Sequence, residues 1–352
     1  MRIISINEAV PGMVVGRTLY APNGSVLLSA GIELTPVYID RLYELGVMAL
    51  YVRDENLQDV EVGDVISEKT RVEAIKITKE AMKHLKVNQS YDMKKIYHAV
   101  NSLIDELIRN RNILINLIDI RAKNEYIFAH SVNVTVLSVM IGIAMEYNQL
   151  KLKDLAAGAI LHDIGKALFD QQILHKEEAL NSQERESMKQ HTALGFEILR
   201  KVSNYNLLSA HVALQHHEYY DGKGYPRAMA GEDIVEFARI VSVANVYDKM
   251  TTDRDGHRRL PPSQAIEVIL TGRGTWFDPD IVDHFTKIIA VYPIGSEVML
   301  NSGEKGVVAA THKDNPTRPT VRIIEDYVGE KLDQIKEVNL MLSPDYHIVA
   351  LN

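Results

Sequence analysis

Cysteine is absent from this 352-residue chain. That excludes disulfides, thiolate nucleophiles and thiolate metal sites, so any metal must be held by imidazole, carboxylate or carbonyl groups. The absence also fits a reducing compartment, and a cytoplasmic location is expected. The opening residues, Met1 to Val15, show no long apolar core behind a basic start, so no signal peptide is read there. No stretch approaches the roughly 18 uninterrupted apolar residues that cross a bilayer, and no membrane span is expected. Proline is missing between Pro36 and Pro226, and because proline breaks helix interiors the long middle of the chain is expected to be helical. Basic charge is not in excess: 47 acidic residues stand against 39 basic ones, a formal net charge of −8. Such a chain is a poor partner for a nucleic acid polymer, whereas a small phosphate ligand needs only a few local cations.

What is present is an ordinary globular balance, 46% hydrophobic and 24% charged, enough to bury a sizeable core without staples. Residues 1–53 alternate short apolar runs with turn signals. Pro22-Asn23-Gly24 sits between two strand-like runs as a hairpin signature. Residues 37–46 read as a short helix closed by Gly46, and Val47 to Val52 as a further strand. Tyr38, Tyr43, Met48 and Tyr51 of this part are expected to be core. From about Val65 the period becomes helical, with Ile75, Met82, Leu85, then Ile96, Val100, Leu103 and Leu107 at spacings of three, four and seven. These apolar stripes have no evident partner within the chain, which suggests a homodimer through residues 65–118. After Pro293, two strands around Ser302-Gly303 and another near Val321–Ile324 indicate a small β appendage. The expected fold is therefore mainly α: an N-terminal α/β, β-rich module at 1–64, a helical linker at 65–118, a helical domain at 119–292 and a C-terminal β appendage at 293–352.

Two motifs carry chemistry. The first is Leu-His-Asp-Ile-Gly-Lys at 161–166, in which Leu155, Ala159 and His162 share one helix face. His162 and Asp163 are adjacent, and a metal centre tolerates this because the two side chains can approach an ion from different directions. The second is His-His-Glu-Tyr-Tyr-Asp-Gly-Lys-Gly-Tyr-Pro at 216–226. Two imidazoles end an apolar helix containing Leu207, Leu208, Val212 and Leu214. A loop follows in which Gly222 and Gly224 permit close backbone approach and Pro226 stiffens the exit.

Together these motifs resemble the HD-GYP family, a branch of the HD phosphohydrolases, over roughly residues 119–292. The stretch from His130, the Gln-His-Thr-Ala-Leu-Gly around His191 and the run from Val243 to Arg254 fit the same resemblance. Both flanks look like regions that accompany this domain in some members. The resemblance implies a helical HD-type domain that hydrolyses cyclic di-GMP, or a related cyclic dinucleotide such as 3',3'-cyclic GMP-AMP, through a hydroxide activated between two metals. It implies one metal held by His130, His162 and Asp163, and a second by Asp163 as a bridge with His191, His216 and His217. Asp163 and Lys166 would be catalytic. Lys166 and Arg254 would clamp phosphate, with Asp221, Gly222, Gly224, Tyr225 and Pro226 lining the substrate site. Imidazole and carboxylate ligands suit iron, manganese or zinc better than calcium or magnesium, and the resemblance favours iron or manganese. Residue by residue the physics agrees: His130 shares a face with Val134, Leu137 and Ile141, and His191 with Leu194 and Ile198. Five inward imidazoles around one carboxylate are satisfied together most simply by cations.

Two departures from the family pattern matter. Asn245 stands where many members place an aspartate ligand; its carbonyl can still coordinate, but as a dipole instead of a charge. Asp248, one turn on, is a candidate to compensate. A catalytically weak or inactive receptor, for which the 222–226 loop is a docking surface for a protein partner, therefore stays open, as does an HD phosphohydrolase of other nucleotides. Secondly, some members carry a glutamate four residues before the first histidine and hold a third metal. Here that position is Tyr126, with Glu125 rotated away, and two metals are expected.

Overall fold

The computed structural model describes residues 1–21, 25–47, 49–60, 62–87, 91–115, 126–174, 180–252 and 259–351. The fold is mainly α, with a small N-terminal group of strands and a C-terminal sheet. At the N-terminus β1 (Arg2–Ser5) pairs antiparallel with β4 (Ala49–Val52), and β2 (Leu19–Tyr20) with β3 (Val26–Leu28). The hairpin strands are thus present, while their expected turn at 22–24 lies outside the described residues. Helix α1 (Pro36–Glu44) starts where Thr35 accepts from the Tyr38 amide with Pro36 in the first turn, and it stops before Gly46, which adopts φ +77°. Tyr51 is buried as expected, but Tyr38 and Tyr43 are exposed on the outer face of α1, whose inward position is taken by Leu42. Met48 lies outside the described residues.

Helices α2 (Glu68–Lys86) and α3 (Met93–Arg109) carry the apolar stripes read from the sequence. Ile75, Met82, Leu85, Ile96, Val100, Leu103 and Leu107 are all buried, in one core with α4 (Tyr126–Ala144), α5 (Gln149–Ile160) and α10 (Glu236–Thr251). The stripes therefore have a partner within the chain, which removes the premise for a homodimer through 65–118. Each fully buried Leu or Ile of this kind contributes about 1.5–3 kcal/mol, which is why α2 and α3 dock instead of standing free.

Within helix α4, Ile127–Ala144 is long and apolar enough to cross a membrane by length and composition, although polar residues interrupt it. Yet 78% of that window is buried within the protein, and His130, Ser131, Asn133, Thr135 and Ser138 are buried polar residues along it. An all-round apolar helix of this sort is the centre of a helical core. Around it follow α6 (Gln171–Leu174), α7 (Ser182–Lys189), α8 (His191–Leu199), α9 (Leu207–Gln215), α11 (Pro262–Thr271) and α12 (Pro279–Phe285). On α9, Leu207 and Leu208 are exposed and the inward face is Ala210, Val212 and Ala213. The apolar run there signalled burial on one side only.

The C-terminal sheet has strand order β8-β7-β6-β5-β9, all antiparallel: β5 (Glu297–Leu300), β6 (Lys305–Ala310), β7 (Thr320–Glu325), β8 (Lys331–Asn339) and β9 (Ile348–Leu351). It meets the N-terminal strands directly. The Ile3 amide donates to Gly295 O at 2.9 Å, the Arg322 guanidinium holds both Asp59 oxygens at 2.6 and 2.8 Å, and Leu57, Val60 and Val307 form a small shared core.

Candidate metal centre

Glycines bring the two motifs together. Helix α5 ends at Ile160, so His162 and Asp163 stand in the turn that leads to a 3₁₀ helix at Ile164–Leu168, not on a helix face as the sequence suggested. At Gly158, a Cβ would lie 2.7 Å from Val212 Cγ2 and 3.0 Å from Ser209 O, so only glycine lets α5 close on α9. At Gly165 a Cβ would lie 1.9 Å from His191 O, so the turn after Asp163 touches the backbone of the first residue of α8. These two contacts set Asp163 beside His191 and beside the C-terminal end of α9, where His216 caps the helix.

The result is a buried cluster around one carboxylate. Asp163 Oδ1 lies 3.3 Å from His191 Nε2 and 3.6 Å from His216 Nε2. Its Oδ2 lies 3.4 Å from His162 Nε2, 3.8 Å from His130 Nε2 and 3.0 Å from Lys166 Nζ. The two oxygens thus face two separate groups. His130, His162 and Asp163 form one set whose ligand atoms lie within 4.8 Å of one another, and His191, His216 and His217 form another. His217 is half-buried and its ring lies 5.2 Å from that of His191. Asn245 enters the first group, its Oδ1 3.0 Å from His130 Nε2. Lys166 is 3% exposed and therefore no solvated lysine. Arg254 and Glu125 fall outside the described residues, as does the side chain of Tyr126.

Each of four imidazoles is oriented by its outer nitrogen. Nδ1 of His162 meets Ala159 O at 2.7 Å, Nδ1 of His191 meets Met188 O at 2.6 Å, and Nδ1 of His216 meets Val212 O at 3.0 Å. Nδ1 of His130 meets Asp248 Oδ2 at 2.6 Å. A carbonyl or carboxylate accepts and cannot donate, so each Nδ1 carries the proton and each Nε2 turns a lone pair to the centre. Asp248 is consequently not a substitute ligand for Asn245; it holds His130 from behind.

The centre is left with groups that need a cation. His162 Nε2, both oxygens of Asp163 and Asn245 Nδ2 are buried without a hydrogen-bond partner of proper geometry. Such orphaned atoms are rare unless an ion or water completes them, and converging lone pairs of imidazole and carboxylate fit a divalent metal. Burial alone would raise the Asp163 carboxyl, but the Lys166 charge and the facing imidazoles hold it well below the usual carboxylate range. Burial pushes His130 and His191 down, His216 to about 3, and His217 well below the ordinary imidazole value. These four imidazoles are therefore held neutral beside an ionised carboxylate, the protonation state that binds metal.

The second motif forms a loop against this centre. Tyr225 stacks on His217 with ring centroids 4.7 Å apart and planes 16° apart, and its amide donates to His217 O. Gly222 takes φ +81°, and a Cβ on Gly224 would lie 2.2 Å from the Tyr219 amide nitrogen. The Tyr225–Pro226 peptide is cis. Asp221 is turned onto its own loop, accepting from the Lys223 amide and ammonium. Sequence reasoning passed over Glu218, a buried carboxylate that accepts from the Arg227 amide at 2.7 Å and the Met229 amide at 3.1 Å and so fixes the loop after Pro226. Its place directly after the two histidines was the available signal.

Comparison with known proteins agrees with this geometry. An HD-domain family matches residues 112–281, and a KOW domain associated with HD domains matches 297–351. The chain is 31% identical over 238 residues to a protein of Pseudomonas aeruginosa named as a cyclic di-GMP phosphodiesterase, covering 68% of this chain and 57% of that one. It is 36% identical over 160 residues to a Thermotoga maritima protein of the same designation, covering 45% and 44%, and 30% identical over 184 residues to a 3'3'-cGAMP-specific phosphodiesterase of Vibrio cholerae, covering 52% and 40%. The chain thus spans about half the length of these curated relatives. Among solved structures, an HDG"Y"P protein of Bdellovibrio bacteriovorus superposes with a TM-score of 0.51 at 14% identity, covering 81% of this chain and 98% of that one, a likeness of fold. With both motifs in place around one buried centre, residues 112–281 belong to the HD-domain family, and the relatives' names agree with the HD-GYP resemblance of the two motifs.

Proposed function

We propose that this chain is a metal-dependent phosphodiesterase that hydrolyses a cyclic dinucleotide, cyclic di-GMP or 3',3'-cyclic GMP-AMP. The observation that carries the reading is the convergence of imidazole lone pairs on the buried carboxylate of Asp163, neither of whose oxygens receives a hydrogen bond of proper geometry. His130, His162 and Asp163, with the Asn245 carbonyl, would hold one ion; Asp163, His191, His216 and His217 would hold a second. Iron or manganese suits this ligand set and two ions are expected. Bound there, such ions supply Lewis acidity toward a phosphodiester and a water nucleophile at neutral pH. The chain's own residues do the rest. Lys166, held beside Asp163, sets a fixed cation where charge gathers on the phosphoryl oxygens, and Arg254 is placed by resemblance in the same role. Tyr225, stacked on His217, would wall the substrate site, with Asp221, Gly222, Gly224 and Pro226 in the same loop. The relatives' names support the substrate class.

A second reading, a receptor that binds the nucleotide but turns it over slowly, is favoured by one observation: Asn245 brings a dipole, and a buried unpartnered amide nitrogen, where a charge would hold metal more tightly. Anaerobic metal analysis coupled to turnover of cyclic di-GMP, cyclic GMP-AMP and a linear dinucleotide separates the two. Two iron or manganese ions per chain with turnover of a cyclic substrate is expected. Binding without turnover selects the receptor, and a chain that takes up no divalent metal overturns both.

A further inference from the structure

We infer that Arg71, on α2 and ahead of the stretch matched as an HD domain, is a positioning residue for the metal centre, acting through a one-way hydrogen-bond chain that ends on His130. The inference rests on the proposed metal reading. Arg71 Nη1 donates to Asn133 Oδ1 at 2.9 Å, Asn133 Nδ2 donates to Asp248 Oδ1 at 2.9 Å, and Asp248 Oδ2 accepts from His130 Nδ1 at 2.6 Å. His130 Nε2 then faces Asn245 and Asp163. All four members are buried, with Arg71 8% exposed and the other three 1–2%.

The direction of this chain is the same from both ends, a donor-only guanidinium outside and an acceptor-only carboxylate inside. A guanidinium has donors and no acceptor, so Asn133 must turn its oxygen to Arg71 and its amide nitrogen to Asp248. Asp248, supported by that donor and by Thr252, keeps its other oxygen on His130 Nδ1. His130 is thereby locked in the tautomer that offers Nε2 inward, and an outer carboxylate raises the basicity of a ligating imidazole. Without Arg71 the Asn133 oxygen loses its charged donor, and the hold of Asn133 on Asp248, and of Asp248 on His130, is loosened. His162, His191 and His216 are held by backbone carbonyls instead, so the dependence on Asp248 belongs to His130.

That asymmetry gives a test beyond activity. Purified full-length protein, stripped with chelator, is titrated with Mn²⁺ and its bound metal counted, for wild type, Arg71→Met, Arg71→Lys and Asn133→Leu, with melting temperatures of the metal-free proteins measured alongside. The wild type is expected to bind two ions. Arg71→Met should lose affinity for one of them by about 10–100-fold, the usual effect of removing an outer partner of a ligand, while the other is kept. Arg71→Lys, which retains a donor without an acceptor, should restore most of the loss. Asn133→Leu breaks the chain at its next link and should reproduce the one-ion phenotype, which settles the matter if Arg71→Met fails to fold. Wild type binding two ions, with both affinities unchanged in Arg71→Met or, where that variant does not fold, in Asn133→Leu, overturns the inference. Wild type binding no manganese or iron overturns the reading of the centre itself.

Discussion

Replacing Gly165 with alanine is the sharpest test of how the centre is assembled. The added Cβ would sit 1.9 Å from His191 O and 2.8 Å from the Gly195 amide nitrogen. Real Cβ atoms essentially never come within 3.0 Å of such neighbours, and both are backbone, which has no rotamer to turn aside. The turn carrying Asp163 and the start of α8 must therefore part by about 1 Å, a displacement that costs on the order of 100-fold in a positioned active site. His191 Nε2 now lies 3.3 Å from Asp163 Oδ1, so the second ligand group would be drawn off the shared carboxylate while His162 and Asp163 stay together. Overpacking of this kind costs about 1–3 kcal/mol in stability. The assay is metal content, turnover of the cyclic substrate and melting temperature on the same preparation. A modest loss of melting temperature with loss of one ion and about 100-fold in kcat is expected. Wild-type metal content and turnover in Gly165→Ala would refute the claim that this backbone contact places His191.

Asn245→Asp should bind metal more tightly on the His130 side and turn over faster, read by metal content and kcat; no change in either dismisses Asn245 as the weak point. Lys166→Met should keep its metals but lose about 10²–10³ in kcat, as removal of one charge-stabilising group does; an unchanged kcat excludes the clamp. Glu218→Gln turns an amide donor toward one of two backbone N–H groups, costs about 1–3 kcal/mol, and should raise KM by loosening the 222–226 loop, measured by substrate saturation. In metal-free protein, His130, His191, His216 and His217 have their proton affinity lowered by burial. Unfolded histidines protonate near about pH 6.5, so as pH falls below that value the unfolded state takes up protons the native state refuses, and stability declines down to about pH 3, where His216 titrates. Melting temperature in chelator, followed from pH 7 to 4, should fall steadily; a flat profile contradicts burial of neutral imidazoles.

Much of the local structure was legible along the chain because its causes are local. Pro36 and Gly46 bound α1, Ser302-Gly303 turns β5 into β6, and the three-four-seven spacing of Ile75 to Leu107 marks helices with one apolar face. The adjacency of His162 to Asp163, and of His216 to His217, pointed to chemistry before any fold was known. Tertiary structure decided what those residues do to one another. The stripes on α2 and α3 found partners in α4 and α5 of the same chain, since hydrophobic attraction has no address. Asp163 divides its two oxygens between groups from distant stretches only because Gly158 and Gly165 let helices approach to backbone contact. Asp248, read as a stand-in ligand, proved to be the support behind His130, and Arg71 reaches the same histidine across 62 residues of chain from Asn133. Periodicity tells which side of a helix turns inward, but the direction of a buried hydrogen bond depends on the partner opposite, and that partner is chosen by packing.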